Sequence, residues 1–122
     1  MASAEISTSG YVVVDTALIE PVECPCGTSR RAFVSPDNPV ATLHVVEVGA
    51  DARTHYHKRL TEIYYILETA GAAFMELDGR RVPVRPGTAV LIRPGTRHRA
   101  AGKMRLVNLC SPPFDPQDEW FD

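Results

Sequence analysis

Short apolar runs that alternate with polar residues and end at turn residues recur along the whole chain. They are rich in β-branched and aromatic residues, and no stretch keeps the 3.6-residue apolar spacing of an amphipathic helix. The predicted strands cover residues 11–14, 31–34, 42–48, 63–67, 72–77, 89–92 and 104–110. Asp78-Gly79 gives the strongest short-range signal of a β-hairpin, and most of the ten prolines lie between runs. The pattern therefore predicts an all-β fold.

Alternation within two of these runs indicates which side chains share a face. Successive side chains of a strand point to opposite faces, so Tyr64 faces the interior if Glu62 does. In the run 42–48, Thr42, His44 and Val46 share one face, and either face could be the interior. His44 is therefore a candidate pocket residue.

Composition and charge are those of an ordinary globular chain. Its 122 residues are 44% hydrophobic and 23% charged, which predicts a single domain over residues 1–122. A net charge of −2 gives no reason to expect a nucleic-acid partner. The N-terminal residues lack the pattern of a signal peptide, and no apolar run approaches the roughly 18 residues that cross a membrane. We therefore expect a cytoplasmic protein without nucleic-acid or membrane partners.

The three cysteines, without a secretory signal, favour a reducing compartment and free thiols. Cys24 and Cys26 could form half of a metal site or a redox pair. Two cysteines without further partners are a weak zinc signal, so we expect two neighbouring thiols in a turn. Cys110 ends an apolar run and is expected to be a small buried hydrophobe.

Candidate chemistry is concentrated in three of the four histidines. His55 and His57 are two residues apart, so on an extended strand both imidazoles point to the same face. Glu62 follows a short turn-like stretch, and His98 comes 36 residues after Glu62, behind a Pro-Gly turn. Imidazole and carboxylate ligands suit Zn²⁺, Fe²⁺, Mn²⁺, Ni²⁺ or Cu²⁺. The spacing indicates one mononuclear metal site, in which Glu62 is either a ligand or a catalytic base.

The same residues resemble the two motifs of the cupin family. The first motif, a glycine followed by His-x-His and Glu, is matched by Gly49, His55, His57 and Glu62. The second motif, whose histidine is the last metal ligand, is matched by Gly87, Pro94, Gly95 and His98. The resemblance covers about residues 41–110. The chain departs from the family pattern at Thr69, Arg93 and Gly102, none of which is a ligand position.

The resemblance implies a double-stranded β-helix, or jelly-roll barrel, with its core over about residues 31–110. It implies one divalent transition metal per subunit, with zinc or iron favoured, held by His55, His57, Glu62 and His98. Glu62 and Tyr64 are the candidate catalytic residues. His44 and Arg31 are the candidate contacts to a small polar substrate, and Arg31 could bind a carboxylate.

The reaction is left open by this resemblance. Cupins include dioxygenases, sugar isomerases and epimerases, lyases and zinc-dependent bond-forming enzymes, and one fold hosts many chemistries. A metal-dependent enzyme is the favoured interpretation. The alternative is a non-catalytic module that senses or binds a small ligand through the same metal.

The C-terminal segment, residues 111–122, combines three prolines with Phe114, Trp120 and Phe121. These aromatic side chains are costly to leave exposed, so the segment is expected to pack on the barrel or on a second subunit. The functional alternative is a lid over the barrel mouth, with Asp118 or Glu119 reaching in. Strand edges of a small barrel need to be covered, which favours a homodimer.

Overall fold

The structure is a computed structural model that describes residues 5–50 and 52–122. The described residues form strands β1 (Glu5–Ser7), β2 (Val12–Val14), β3 (Val22–Cys24), β4 (Gly27–Ala32), β5 (Thr42–Val48), β6 (Thr61–Leu77), β7 (Arg80–Pro83), β8 (Ala89–Ile92) and β9 (His98–Ser111). Two short 3₁₀ helices cover Thr16–Leu18 and Pro116–Asp118. The predicted all-β class is confirmed. No helix in these two ranges is long and apolar enough to cross a membrane.

Strands β3 to β9 form one antiparallel sheet, whereas β1 and β2 form a separate hairpin. The strand order is β3-β4-β5-β9-β6-β7, and β8 also pairs with β6. The long strands β6 and β9 pair from end to end, with irregularities between Ile66 and Glu68 and between Ala70 and Phe74. The first part of β6 pairs with β8 and its last part with β7, so the ladder bends between two halves. This is the predicted double-stranded β-helix.

Two predicted strand boundaries are wrong. The runs 63–67 and 72–77 belong to the single strand β6, because a ladder irregularity rather than a turn separates them. The run 31–34 is replaced by β4, which ends at Ala32 because Phe33 takes a left-handed conformation with φ of 68°. The Asp78-Gly79 hairpin is confirmed. Both of its residues have positive φ, 49° and 80°, and they join β6 to β7.

The barrel interior changes from polar to apolar along the strands. Side chains opposite one another in neighbouring strands share a face, so they form rows across the sheet. One row contains Thr42, Cys110 and Glu62, and the next contains Arg31, His44, Asn108 and Tyr64. The third row, Val46, Leu106 and Ile66, is apolar and almost completely buried. The first two rows therefore provide a polar compartment above an apolar core.

Burial settles which strand faces are internal. Glu62 and Tyr64 are buried, whereas Ile63 and Tyr65 between and after them are exposed, as alternation predicts. The face of β5 that carries Thr42, His44 and Val46 is the internal one. His44 therefore lies inside the barrel.

The expectation of free thiols at Cys24 and Cys26 is wrong. These residues form a disulfide across the turn between β3 and β4, where their Cα atoms are 5.1 Å apart. Gly27 follows with φ of 136°, and a Cβ there would collide with the backbone of Glu47 and Gly49. The turn is therefore packed tightly against the end of β5. Cys110 is free and buried, as expected.

The C-terminal segment folds back onto the barrel of its own chain. Tyr56 and Trp120 exchange two backbone hydrogen bonds of 3.0 and 2.9 Å. The guanidinium of Arg97 donates two hydrogen bonds of 2.9 Å to the carboxylate of Asp122. The Lys58 ammonium lies 3.6 Å from the centre of the Trp120 ring, which is a cation–π distance.

Candidate metal centre

The barrel brings together the four residues that the motifs single out. One ligand atom from each of His55, His57, Glu62 and His98 lies within 4.8 Å of the others. All four side chains are buried, with exposed fractions of 6, 4, 2 and 0%. His55 is tied to His98, at the start of β9, by two backbone hydrogen bonds of 3.1 and 2.9 Å. The donors therefore come from the β5–β6 connection and from the beginnings of β6 and β9.

Each of the three histidines is oriented by a backbone carbonyl. The Nδ1 atoms of His55, His57 and His98 lie 2.9, 2.7 and 2.9 Å from the carbonyl oxygens of Arg53, Asp118 and Thr96. A carbonyl only accepts hydrogen bonds, so Nδ1 carries the proton in each ring. The lone pair is then on Nε2, which is the arrangement of a metal-bound imidazole with a fixed tautomer.

Glu62 Oε1 faces the same point as these lone pairs. It lies 2.8 Å from His57 Nε2 and 2.9 Å from His98 Nε2. Nevertheless, neither Glu62 Oε1 nor His98 Nε2 has an aligned hydrogen-bond partner in residues 5–50 and 52–122. Unpaired buried polar atoms are costly. A divalent cation would satisfy both atoms at once, so the donor set fits a metal.

The pKa values of the clustered side chains also favour a bound cation. Burial opposes the charge of Glu62, yet His57 and His98 hold its carboxyl pKa far below the usual range. Burial also lowers the pKa of His57, but contact with Glu62 outweighs it, so the pKa is raised. In His55, where burial dominates, the pKa falls to about 4. The centre therefore favours one positive charge beside Glu62, and a metal ion can supply it in place of a proton.

The second carboxylate oxygen of Glu62 is held from β9. Asn108 Nδ2 donates a hydrogen bond of 2.6 Å to Glu62 Oε2, and Cys110 Sγ lies 3.8 Å from the same oxygen. Burial raises the pKa of the Cys110 thiol, and Glu62 raises it further, so the thiol stays protonated. Sequence reasoning missed Asn108. Alternation in the predicted strand 104–110 places it on the same face as Cys110, and that signal could have identified it.

Asp118 acts on the loop between the ligands rather than reaching into the pocket. Its carboxylate accepts hydrogen bonds from the backbone amides of Lys58, Arg59 and Leu60, at 2.9, 3.0 and 3.2 Å. Burial raises its pKa, but these donors and the indole of Trp120 lower it on balance. Asp118 therefore fixes the backbone that connects His57 to Glu62. Glu119, the next residue, does line the pocket.

The remaining predicted site residues surround the same pocket, which His44, Tyr64 and Arg31 all line. Burial, with Arg31 nearby, lowers the pKa of His44 to about 4, so its ring is neutral at physiological pH. The ring hydrogen-bonds to Thr42 Oγ1 through Nε2, at 2.9 Å. Burial raises the pKa of Tyr64 well above its usual value, so it remains a phenol. Its ring meets that of His98 edge-on, with centroids 5.9 Å apart.

A family model of the cupin domain matches residues 42–110, which is more than half of the chain. This chain belongs to the cupin family. The match includes all four candidate ligands and the residues of β5, β6 and β9 that line the polar compartment. The predicted family is therefore confirmed.

Several proteins resemble this cupin over most of its length. A protein from Planctomyces limnophilus of known structure is 39% identical, with a TM-score of 0.86 over 98% of this chain and 100% of that one. An uncharacterized protein from Methanocaldococcus jannaschii is 37% identical over 61% of both chains, so less than two thirds of its length is matched. L-ectoine synthase from Mycolicibacterium gilvum is 29% identical over 74% of this chain and 72% of that enzyme. The relatives of this cupin therefore include an enzyme.

The fold is also shared with a nucleoside dehydratase whose structures contain a small molecule. Streptomyces Pac13, a nucleoside dehydratase, has a TM-score of 0.73 and 24% identity over 86% of this cupin and 85% of Pac13. Structures of three Pac13 variants contain uridine. At this identity the likeness concerns the fold alone.

Proposed function

We propose that this cupin is a metal-dependent enzyme that acts on a small polar metabolite at a mononuclear centre. Its ligands would be His55, His57, Glu62 and His98. The observation that supports the proposal best is the pair of buried, unpartnered atoms, Glu62 Oε1 and His98 Nε2, which face each other at 2.9 Å. Two acceptors in such a position need a cation between or beside them.

Three imidazoles and one carboxylate make a donor set of intermediate hardness, which suits one divalent transition metal per subunit. We favour zinc or iron over manganese, nickel or copper, all of which accept such ligands. When bound, such an ion supplies Lewis acidity or an activated water, and a redox-active ion can also bind O₂. No cysteine belongs to this ligand set, because Cys110 contacts Glu62 Oε2 on the side away from the histidines.

We assign Glu62 to the ligands rather than to general-base catalysis. Its Oε1 faces the histidines, and its Oε2 is engaged by Asn108. Neither oxygen is therefore left to take a proton from a substrate. Tyr64 is the proposed catalytic residue, since a phenol that stays protonated can donate a hydrogen bond or proton to a substrate oxygen. His44 and Arg31 would bind the substrate from β5 and β4.

The reaction would be tested with a panel of small metabolites. Metal-loaded and chelator-treated protein would be assayed side by side, with and without O₂. We expect turnover of at least one compound by the loaded protein alone. A requirement for O₂ would assign an oxygenase, and turnover without O₂ would assign isomerase, lyase or bond-forming chemistry. Saturable binding without turnover of any compound in the panel would instead favour a non-catalytic module that senses or binds a small ligand.

We also propose a cytoplasmic homodimer. The outer face of β6 and β8 exposes an apolar patch in which Ile63, Tyr65 and Leu91 are 42, 47 and 53% accessible. Ile63 and Leu91 are cross-strand neighbours, so the patch is continuous. Exposed apolar patches of this kind mark protein interfaces. Light scattering should give twice the mass of one chain, and a monomer mass at micromolar concentration would contradict the proposal.

A further inference from the structure

Arg31 carries a buried donor that no group in the described part of the chain satisfies. Its side chain lies on the internal face of β4 and packs on Phe114, with the guanidinium carbon 4.5 Å from the ring centre. Its Nε is buried without a hydrogen-bond partner. The neighbouring Arg30, on the opposite face, donates instead to the carbonyls of Ala17 and Ile19 at 3.1 and 2.5 Å. Arg31 is therefore the arginine of this pair that is left for an anion from outside the chain.

Glu119 lines the same pocket and is also without a hydrogen bond or ion pair among residues 5–50 and 52–122. Its position is fixed from both sides, because Asp118 holds the β5–β6 loop and Trp120 pairs with Tyr56. Burial raises the pKa of Glu119, and the electrostatic influence of His57 and Arg31 does not reverse this.

The pocket thus places two opposite charges beside the metal centre without pairing them to each other. A simple monoanion would pair with Arg31 but would leave Glu119 without a partner. A phosphate dianion would meet repulsion from both carboxylates. A molecule with one carboxylate and one amino group matches both unpaired side chains.

We propose that the substrate of this cupin is a small zwitterion, whose carboxylate binds Arg31 and whose ammonium group binds Glu119. The inference rests on the proposed function, because the substrate would bind beside the proposed metal ion. It adds the substrate class and assigns a binding role to Glu119.

Three probes with the same three-carbon skeleton test the proposal by calorimetry on zinc-loaded protein: propionate, propylamine and β-alanine. We expect β-alanine to bind at least ten-fold more tightly than either monofunctional probe. R31Q should weaken the binding of propionate and β-alanine by ten-fold or more. E119Q should remove most of the advantage of β-alanine over propionate. Both variants should keep the metal content of the wild type.

Arg105 offers a matched control. It lies in β9, exposed, where it pairs with Glu47 at 3.1 Å, so R105Q removes the same charge outside the barrel. Probe binding by R105Q should equal that of the wild type. If R31Q does not fold, R31K keeps the charge without the guanidinium fork, and should still weaken β-alanine binding several-fold.

The proposal is overturned if β-alanine binds no better than propionate or inorganic phosphate, or if no probe shows saturable binding to the loaded protein. Unchanged propionate binding by R31Q would also overturn it. These outcomes are separate from a failure of the proposed function. A chain that takes up no metal would refute the metal centre before any probe is added.

Discussion

The Nδ1 atom of His57 lies 2.7 Å from the backbone carbonyl oxygen of Asp118, which is 61 residues further along the chain. The same Asp118 holds three successive backbone amides between His57 and Glu62 through its carboxylate. The C-terminal segment therefore orients one candidate ligand and fixes the loop that leads to another. It belongs to the candidate metal centre although it contributes none of the candidate ligands.

Replacing Asp118 with alanine should weaken both the fold and metal binding. Three backbone amides lose a charged acceptor, so D118A should lower the free energy of unfolding by roughly 3 kcal/mol. Metal affinity, measured by competition with a chelator, should fall at least ten-fold because the loop between His57 and Glu62 loses its anchor. E47A is the control, since Glu47 makes an exposed ion pair with Arg105 and its loss should cost less than about 1 kcal/mol. Equal effects of the two variants would contradict the role of Asp118.

The contribution of Asp118 should depend on pH in the acid range. Its pKa is lower in the folded protein than the ordinary value of 3.8. A carboxyl with a lowered folded pKa stabilises the fold above the unfolded pKa, and this contribution disappears as pH falls through the folded pKa. The difference in unfolding free energy between wild type and D118N should therefore be constant above about pH 5 and shrink below about pH 4. A difference that grows on acidification would refute this assignment.

Asn108 should control metal affinity through Glu62. N108A removes the 2.6 Å hydrogen bond to Oε2 and leaves the carboxylate free to rotate. Loss of such a supporting contact typically lowers metal affinity by about 10- to 100-fold. Competition with a chelator measures the change in metal affinity. The control variant is N38A, because the Asn38 side chain bonds only to backbone carbonyls and a backbone amide of a loop far from the centre. If N108A binds metal as tightly as the wild type, Asn108 does not support the metal site.

Tyr64 should matter for turnover and not for metal binding. Y64F keeps the buried ring, so its unfolding free energy and metal content should stay close to those of the wild type. Once a substrate is known, turnover should fall by about 10²- to 10⁴-fold, the usual effect of removing a proton donor. Y65F, one residue along β6 on the exposed face, should have wild-type activity. If Y64F turns over substrate at the wild-type rate, another group must be the proton donor.

The residues that could be predicted from sequence are those that local rules govern. Alternation along the strand predicted that Glu62 and Tyr64 share one face. The spacing of the His-x-His motif, the following Glu and the distant His identified the four candidate ligands, and the fold brings their ligand atoms within 4.8 Å of one another. The Asp78-Gly79 turn followed from its need for positive φ. In each case the signal lies in one or two short motifs of the sequence.

The features that could not be predicted depend either on contacts between distant segments or on a local backbone conformation that the sequence pattern does not show. Asp118 accepts hydrogen bonds from backbone amides about 60 residues away in the sequence. The C-terminal segment is irregular, so its docking on the barrel leaves no periodic pattern in the sequence. The disulfide at Cys24 and Cys26 depends on a turn geometry that spacing alone leaves open. Phe33 ends β4 by adopting a positive φ that its residue type does not favour.

The metal content of the purified protein is the decisive measurement for the proposed mononuclear centre. Elemental analysis of protein prepared without added metal, or reloaded after chelation, should give one transition-metal ion per chain. H98A should lose or greatly loosen the ion, whereas H44A, which replaces a histidine that is equally internal but outside the ligand cluster, should retain it. A wild-type protein with no metal and no tight site on titration would contradict the account, as would an H98A variant with unchanged metal content.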